Sequence, residues 1–450
     1  MKMPPEKRRA CEADIAAVLK ATGHMTEIQA LNKLEFMERL HREVTKPSGG
    51  RLYLSAPANT SFSRLVDAIG KYLPSKDLVK DIEVFRACKA VVGKLCEEGC
   101  RKLDVESFIS AVEEVIAATI QTHRFYTTLD GLEFVDFAEF RIGRLVIQKP
   151  DFAILQGSEA HTETRDNLWK RVDGALWITE DISGSREHCE RRFFESVSSV
   201  CGLLCLSFTM DAERGASGIR LSPCMDTRAR PHTSSWFSFT ADSKVLCVSS
   251  SWKSVLVSSL REIVATDLLD RDWFQNLTRI TQGNGQSEVE QAVRRGIYWF
   301  FDAQLDTSLE MQMVKFWSCI ECIFSFLGVH TTKSIRDGMT GMLILGGYKL
   351  VDMKDKMQLR KDIKRLYDLR CGAVHDAKHN HVTERDVAMV SRWAAWVMIE
   401  VAGLAEAGVQ TRAEIKIQTD YWFELLQEKG STAKAREKCP TCGGVMQDDS

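Results

Sequence analysis

Apolar residues recur at helical spacing near the start of this chain. Ile28, Leu31, Leu34, Met37, Leu40 and Val44 fall three or four positions apart, which predicts a helix from about Met25 to Val44. Lys46-Pro47-Ser48-Gly49-Gly50 then breaks the pattern. Residues 62–120 read as further helices. The last, DVESFISAVEEVIAATI, offers Asp104 as its N-cap and sets Phe108, Val112 and Ile116 on one face. The period changes near His123. Residues 125–148 alternate, carry β-branched and aromatic side chains, and have turn residues at Asp130-Gly131 and Gly143. ALWITEDISG (175–184) is another strand-like run, followed by a helix of over twenty residues beginning REHCERRFF. SSWFSFTADSKVLCVSSSW (234–252) returns to strand character. Gly283-Asn284-Gly285 marks a linker before a long helical stretch.

This pattern predicts an α+β chain in four parts: a helical N-terminal region (1–120), a mixed α/β module (121–285), an all-α region (286–430) and a tail (431–450). No repeat of fixed period interrupts it. The length of 450 residues suits two or three domains, and 44% apolar with 27% charged residues is the balance of a soluble globular chain. A formal net charge of −2 argues against a surface coated in positive charge for indiscriminate nucleic-acid binding, while leaving room for a local basic groove. The N-terminus MKMPPEKRRACEAD lacks the apolar run of a signal peptide. No stretch reaches the roughly 18–20 uncharged apolar residues of a membrane span. The 14 cysteines are scattered without a framework and read as reduced core residues. A cytoplasmic protein with no membrane association is therefore expected.

The candidate chemistry lies in Leu366–His375, LYDLRCGAVH, which spaces Arg370 and His375 as Arg-x4-His. Histidine moves a proton near neutral pH, and arginine holds a phosphate through a planar, permanently charged fork. A second block lies upstream: Ala292–Leu327, AVRRGIYWFFDAQLDTSLEMQMVKFWSCIECIFSFL. In its second helix, Met313, Phe316, Trp317, Ile320, Ile323, Phe324 and Leu327 form an apolar stripe with Glu321 at the margin. Glu321 there either turns to water or finds a cationic partner such as Arg370. Lys354–Arg365, KDKMQLRKDIKR, is locally basic. Either it is a solvated face, or Lys361, Lys364 and Arg365 line a path for an RNA backbone. His379 and His381, in DAKHNH, either assist with phosphate or belong to a polar loop.

Taken together, a long helix carrying Trp299, a break, a helix reading FWSCIECIF and, about fifty residues on, LYDLRxxxxH resemble the Apea-like branch of the HEPN superfamily. The likeness covers about 140 of the 450 residues. It implies a helical bundle that dimerises and cuts RNA without a metal, with Arg370, His375 and Glu321 in the site. Family members often carry a polar residue such as asparagine after the arginine, where this chain has Cys371. The RNA supplies its own nucleophile, the 2′-hydroxyl; DNA, lacking it, is inert. His375 would act as general base or acid and Arg370 would stabilise charge on phosphorus, leaving 2′,3′-cyclic phosphate and 5′-hydroxyl ends. The resemblance further implies a toxin-like or phage-defence role. Upstream modules would sense a trigger, phage-derived or another protein, or restrain the nuclease.

Two geometric expectations accompany this. Positions five apart on a helix point about 140° apart, so one motif does not build the site alone and a homodimer through 286–430 is expected. The motif is also expected near a helix start, where free N–H groups favour phosphate. Neither Arg370 nor His375 is expected to anchor the core. The competing reading is a non-catalytic HEPN module that only dimerises or binds RNA or protein. In the tail, Cys439-Pro-Thr-Cys442-Gly-Gly resembles one knuckle of a zinc ribbon, so Cys439 and Cys442 are candidate ligands of a structural zinc; no cofactor is expected in catalysis. No P-loop, dinucleotide glycine turn, HExxH or nucleophile elbow is present, which removes the common ATPase, dehydrogenase, zinc-protease and serine-hydrolase classes.

Overall fold

A computed structural model describes residues 3–25, 31–157, 161–211, 221–223, 234–239, 246–251, 258–283, 285, 287–326, 331–378 and 381–428. The chain divides into two compact units, Met1–Phe125 with Asp181–Phe193, and Tyr126–Glu180 with Phe194–Ser450.

In the first unit, helices α1 (Pro5–Leu19), α2 (Phe36–Arg42), α3 (Ala56–Ile69), α4 (Asp81–Glu97) and α5 (Val105–Ala117) accompany an antiparallel hairpin of β1 (Glu43–Thr45) and β2 (Arg51–Tyr53). The core gathers Ile15, Val18, Phe62, Leu65, Val92 and Phe108. Asp104 caps α5, accepting from the Ser107 N–H at 2.9 Å, and Phe108, Val112 and Ile116 are buried as the spacing predicts. The helix expected from Met25 to Val44 is corrected. Among the described residues it is helical at 31–32 and again at Phe36–Arg42, with a break at 33–35, and Val44 is a buried strand residue paired with Leu52. The Lys46–Gly50 break is the hairpin turn, with Gly49 at φ 87° and the Lys46 N–H donating to the Gly50 carbonyl at 2.7 Å.

The alternating region forms β3 (Gln121–Asp130), β4 (Leu132–Phe134), β5 (Glu139–Ile142) and β6 (Leu145–Gln148). Helices α6 (Phe152–Gln156) and α7 (Thr162–Val172) precede β7 (Leu176–Gly184), and α8 (Arg186–Asp211) follows. Strands β8 (Ser222–Pro223), β9 (Ser234–Phe239), β10 (Leu246–Ser251) and β11 (Ser258–Leu260) complete this part. A five-stranded sheet runs β5-β6-β7-β3-β8, with β5–β6, β6–β7 and β3–β8 antiparallel. The boundary between the units falls within β3, β7 and α8.

The C-terminal part is helical: α9 (Glu262–Asp270), α10 (Asp272–Gln282), α11 (Glu288–Leu305), α12 (Leu309–Phe324), α13 (Thr331–Leu345), α14 (Lys356–His375), α15 (Glu384–Glu406) and α16 (Arg412–Glu428). Helix α12 lies at its centre, packed on α11, α14 and α15, and buries Phe316, Trp317, Ile320 and Phe324. Ser287 and Ser308 cap α11 and α12; Thr383 and Asp386 form a reciprocal capping box on α15. Helices α13 and α16 cross closely because α13 offers glycine. A Cβ at Gly341 would stand 2.8 Å from the Thr419 carbonyl oxygen.

Two helices, Arg186–Met210 and Glu384–Glu406, are long and apolar enough by length and composition to cross a membrane, which the sequence reading did not anticipate. Within the protein, 61% and 72% of those windows are buried, as in core helices.

Candidate functional site

Helix α14 carries both motif residues in one uninterrupted run and ends at His375. The expectation that the motif lies near a helix start is therefore corrected. Gly372 costs helix propensity but does not stop the helix, because Leu359, Ile363, Leu366 and Tyr367 bury its face against the rest of the bundle. The end at His375 presents carbonyl groups, so no N–H cradle for phosphate exists there. Beyond it, the Asp376 and Lys378 N–H groups donate back to the Gly372 carbonyl, at 3.2 Å each, and Ala377 takes the left-handed conformation at φ 50°.

Arg370 is placed by a partner on α12. Its Nη2 donates to Glu321 Oε2 at 3.0 Å, and the two side chains are 16% and 17% exposed. The other Glu321 oxygen, Oε1, accepts from the Tyr367 hydroxyl at 3.0 Å. Tyr367 and Arg370 are three residues apart and share a helix face, so one carboxylate clamps both. The arginine lies over the Tyr367 ring, 5.7 Å from guanidinium carbon to centroid, and Tyr367 meets the buried Trp317 edge to face at 5.2 Å. Burial, then the neighbouring Glu321 charge, push the Tyr367 hydroxyl well above its ordinary pKa, so it stays a donor. Arg370 Nε is buried without a hydrogen-bond partner among the described residues. Closed to solvent as it is, that donor meets an anion only if neighbouring side chains shift.

His375 is not brought to this cluster. It is exposed and has no hydrogen-bond partner among the described residues. The five-residue step turns it about 140° from Arg370 and about 7.5 Å along the axis. Lys361 and Lys364 are exposed on the same helix, and Lys364, eleven residues before His375, faces within about 20° of it. Arg365 has a structural engagement: its Nη1 donates to Asp386 Oδ1 at 2.8 Å, tying α14 to the capping box of α15. Burial raises the Asp386 carboxyl, but hydrogen bonds from Thr383 and Arg365 outweigh it and hold the group below the usual range. His381 donates from Nε2 to the Leu369 carbonyl at 3.1 Å, holding the loop to the helix end. His379, Leu327, Cys439 and Cys442 lie outside the described residues.

Tyr367 is the site residue that sequence reasoning missed. The available signal was its spacing from Arg370, three residues, which puts the two side chains on one face. Among the described residues no group of three or more His, Cys, Asp or Glu side chains is placed to hold a metal. Cys319 is fully buried, and burial pushes its thiol well above the ordinary range.

No family model matches the sequence, and no curated protein or solved structure is significantly similar to it.

Proposed function

We propose that this chain is a metal-independent endoribonuclease of the HEPN type, acting in the cytoplasm as a homodimer through its C-terminal helices. The observation that carries the reading is the Arg370–Glu321–Tyr367 clamp, which fixes a half-buried guanidinium near the end of the motif helix. The reaction needs little else. The 2′-oxygen of the RNA attacks the adjacent phosphorus as its proton passes to a base, and the P–O5′ bond breaks as the leaving oxygen takes up a proton. Arg370 neutralises charge on the phosphoryl oxygens, and His375 exchanges the protons. Because the helix turns the two away from each other, His375 of one copy serves the Arg370 of another across a two-fold axis. The upstream residues, 1–285, restrain or trigger the nuclease in a toxin-like or phage-defence setting.

One observation favours the rival reading, a helical module that dimerises or binds RNA or protein without cutting. Glu321 already compensates the Arg370 charge inside its own chain. A single experiment separates the two. Purified protein is incubated with total cellular RNA in EDTA and the cut ends are mapped, beside His375→Ala and Arg370→Ala. Cyclic-phosphate and 5′-hydroxyl ends are expected from the wild type, with a loss on the order of 10²–10⁴-fold in each variant. Full activity in His375→Ala would remove the catalytic assignment, and binding without cuts in the wild type would favour the module.

A further inference from the structure

A furrow of about 660 Å³ runs between the N-terminal halves of α14 and α15, within the size range of small-ligand clefts. It exists because both helices pack on α12 more closely than on each other. Its floor is apolar, with Leu359, Ala388 and Trp393 all buried.

The two walls differ in charge. Helix α14 contributes Asp355, Gln358 and Asp362, three and four residues apart and so on one face. Asp355 is the N-cap residue of α14, yet its side chain makes no capping hydrogen bond. Gln358 donates to Asp362 at 2.9 Å, and Arg365 stands 3.8 Å from the other oxygen of that carboxylate. Helix α15 contributes Arg385, Arg392 and Trp396, seven and four residues apart, again on one face, with Glu384 at the mouth. Arg385 is exposed and forms no ion pair with a described residue. An acidic wall therefore stands across from a net-positive one, and the free Asp355 and Arg385 do not meet.

A ligand that fills this space needs three things on one frame. It needs a flat ring to lie on Trp396 over the Trp393 floor, hydroxyl or amino donors for the carboxylates, and an anion for the arginine fork. A polyamine would set cations against the arginines. A purely apolar ligand would leave both charged walls desolvated without partners. A nucleotide satisfies all three, with its base stacked, its ribose hydroxyls or exocyclic amine on the α14 wall, and its phosphate on Arg385. We propose that this furrow binds a nucleoside 5′-phosphate, either free or as one unit of an RNA strand. The site is separate from the motif, since α14 turns Asp362 about 140° away from His375. The inference therefore stands whether or not the chain cuts RNA. The furrow's floor does touch the motif's support: Trp393 packs on Trp317 at 6.4 Å, and Trp317 on Tyr367.

The test is equilibrium dialysis of the full chain, in EDTA, against labelled AMP and GMP, with adenosine as the phosphate-free control. A 2′-O-methyl oligonucleotide, which lacks the internal nucleophile, serves as competitor. A single saturable site is expected. Arg385→Glu, at an exposed position, should weaken nucleotide binding about tenfold or more and leave adenosine unaffected, whereas Trp396→Ala should weaken both. His375→Ala should bind as the wild type does. Displacement by the oligonucleotide would identify the source as a strand, and its failure to compete would identify a free nucleotide. Absence of saturable binding by either nucleotide, or binding indifferent to both Arg385→Glu and Trp396→Ala, overturns the proposal.

Discussion

Two ion pairs show how differently the two units handle charge. In the N-terminal unit, Arg64 reaches Asp14 at 2.5 Å with its own side chain 62% exposed. In the C-terminal helices, Lys315 stands inside, 12% exposed, with Asp302 at 2.7 Å and Asp306 at 2.6 Å. Burial lowers the Lys315 ammonium, but hydrogen bonds to Asp302 and Asp306 outweigh it and hold the group above its ordinary range. The first unit buries the Asp14 carboxylate beside a core of aliphatic and aromatic side chains but meets it with an arginine that stays in solvent. The second takes charge inside and ties helix to helix with it. A buried charge tolerates few arrangements, because every one that leaves it unpaired is costly. The C-terminal helices therefore trade tolerance for fixed geometry.

The sharpest way to break this comparison is Lys315→Ala. It leaves Asp302 and Asp306 without their cation and should cost roughly 3–5 kcal/mol in denaturant unfolding. Arg64→Ala should cost clearly less than Lys315→Ala, because water can partly replace an exposed guanidinium although the buried Asp14 loses its partner. Equal losses in the two variants would erase the distinction.

Glu400 provides a pH test. It is 2% exposed on α15 and accepts from the Tyr348 N–H at 3.0 Å. Desolvation raises its carboxyl to about 7, against the opposing pull of the Tyr348 and Gly347 N–H groups. The folded protein therefore holds a proton that the unfolded chain has already lost. Stability is fully present below the unfolded value of 4.5 and falls as pH rises toward 7, by roughly 3 kcal/mol across that window. Glu400→Gln should flatten the curve and be the more stable protein at pH 8. A wild-type curve that rises between pH 5 and 7 with no change in the variant would contradict the assignment.

Arg370→Ala should cost about 1–3 kcal/mol of stability besides its effect on cleavage, because Glu321 is left half-buried without its cation. This revises the expectation that both motif residues are structurally neutral. His375→Ala, at an exposed helix end, should melt as the wild type does. The smallest effect is a gain: Ala377→Gly relieves a left-handed φ of 50° and should add about 1 kcal/mol.

Local physics made much of this legible in the sequence. The Asp104 cap and the Phe108–Val112–Ile116 face follow from spacing within one helix, as do the turns at Gly131 and Gly143, both with positive φ. Val44 was misread because a short apolar residue at helical spacing also suits a strand, and its pairing with Leu52 crosses a turn. The motif was expected near a helix start, but burial of Leu366 and Tyr367 carries α14 through Gly372 and leaves Arg370 and His375 in its closing turns. Tyr367 escaped notice because its role depends on Glu321, 46 residues earlier, and no local period encodes that distance. The tie of Arg365 to Asp386 was hidden for the same reason, since it forms only when α15 folds back.

Gly341 has a consequence for how this chain diverges over time. Alanine there would set a methyl group 2.8 Å from the Thr419 carbonyl oxygen, which belongs to backbone and has no rotamer to escape through. The last helix would have to lift off, and Lys356, which donates to the Leu426 carbonyl on it, would lose its hold. Substitution at 341 is therefore filtered before any question of activity arises. Homologues that keep this helix crossing should keep glycine there while their motif loops drift.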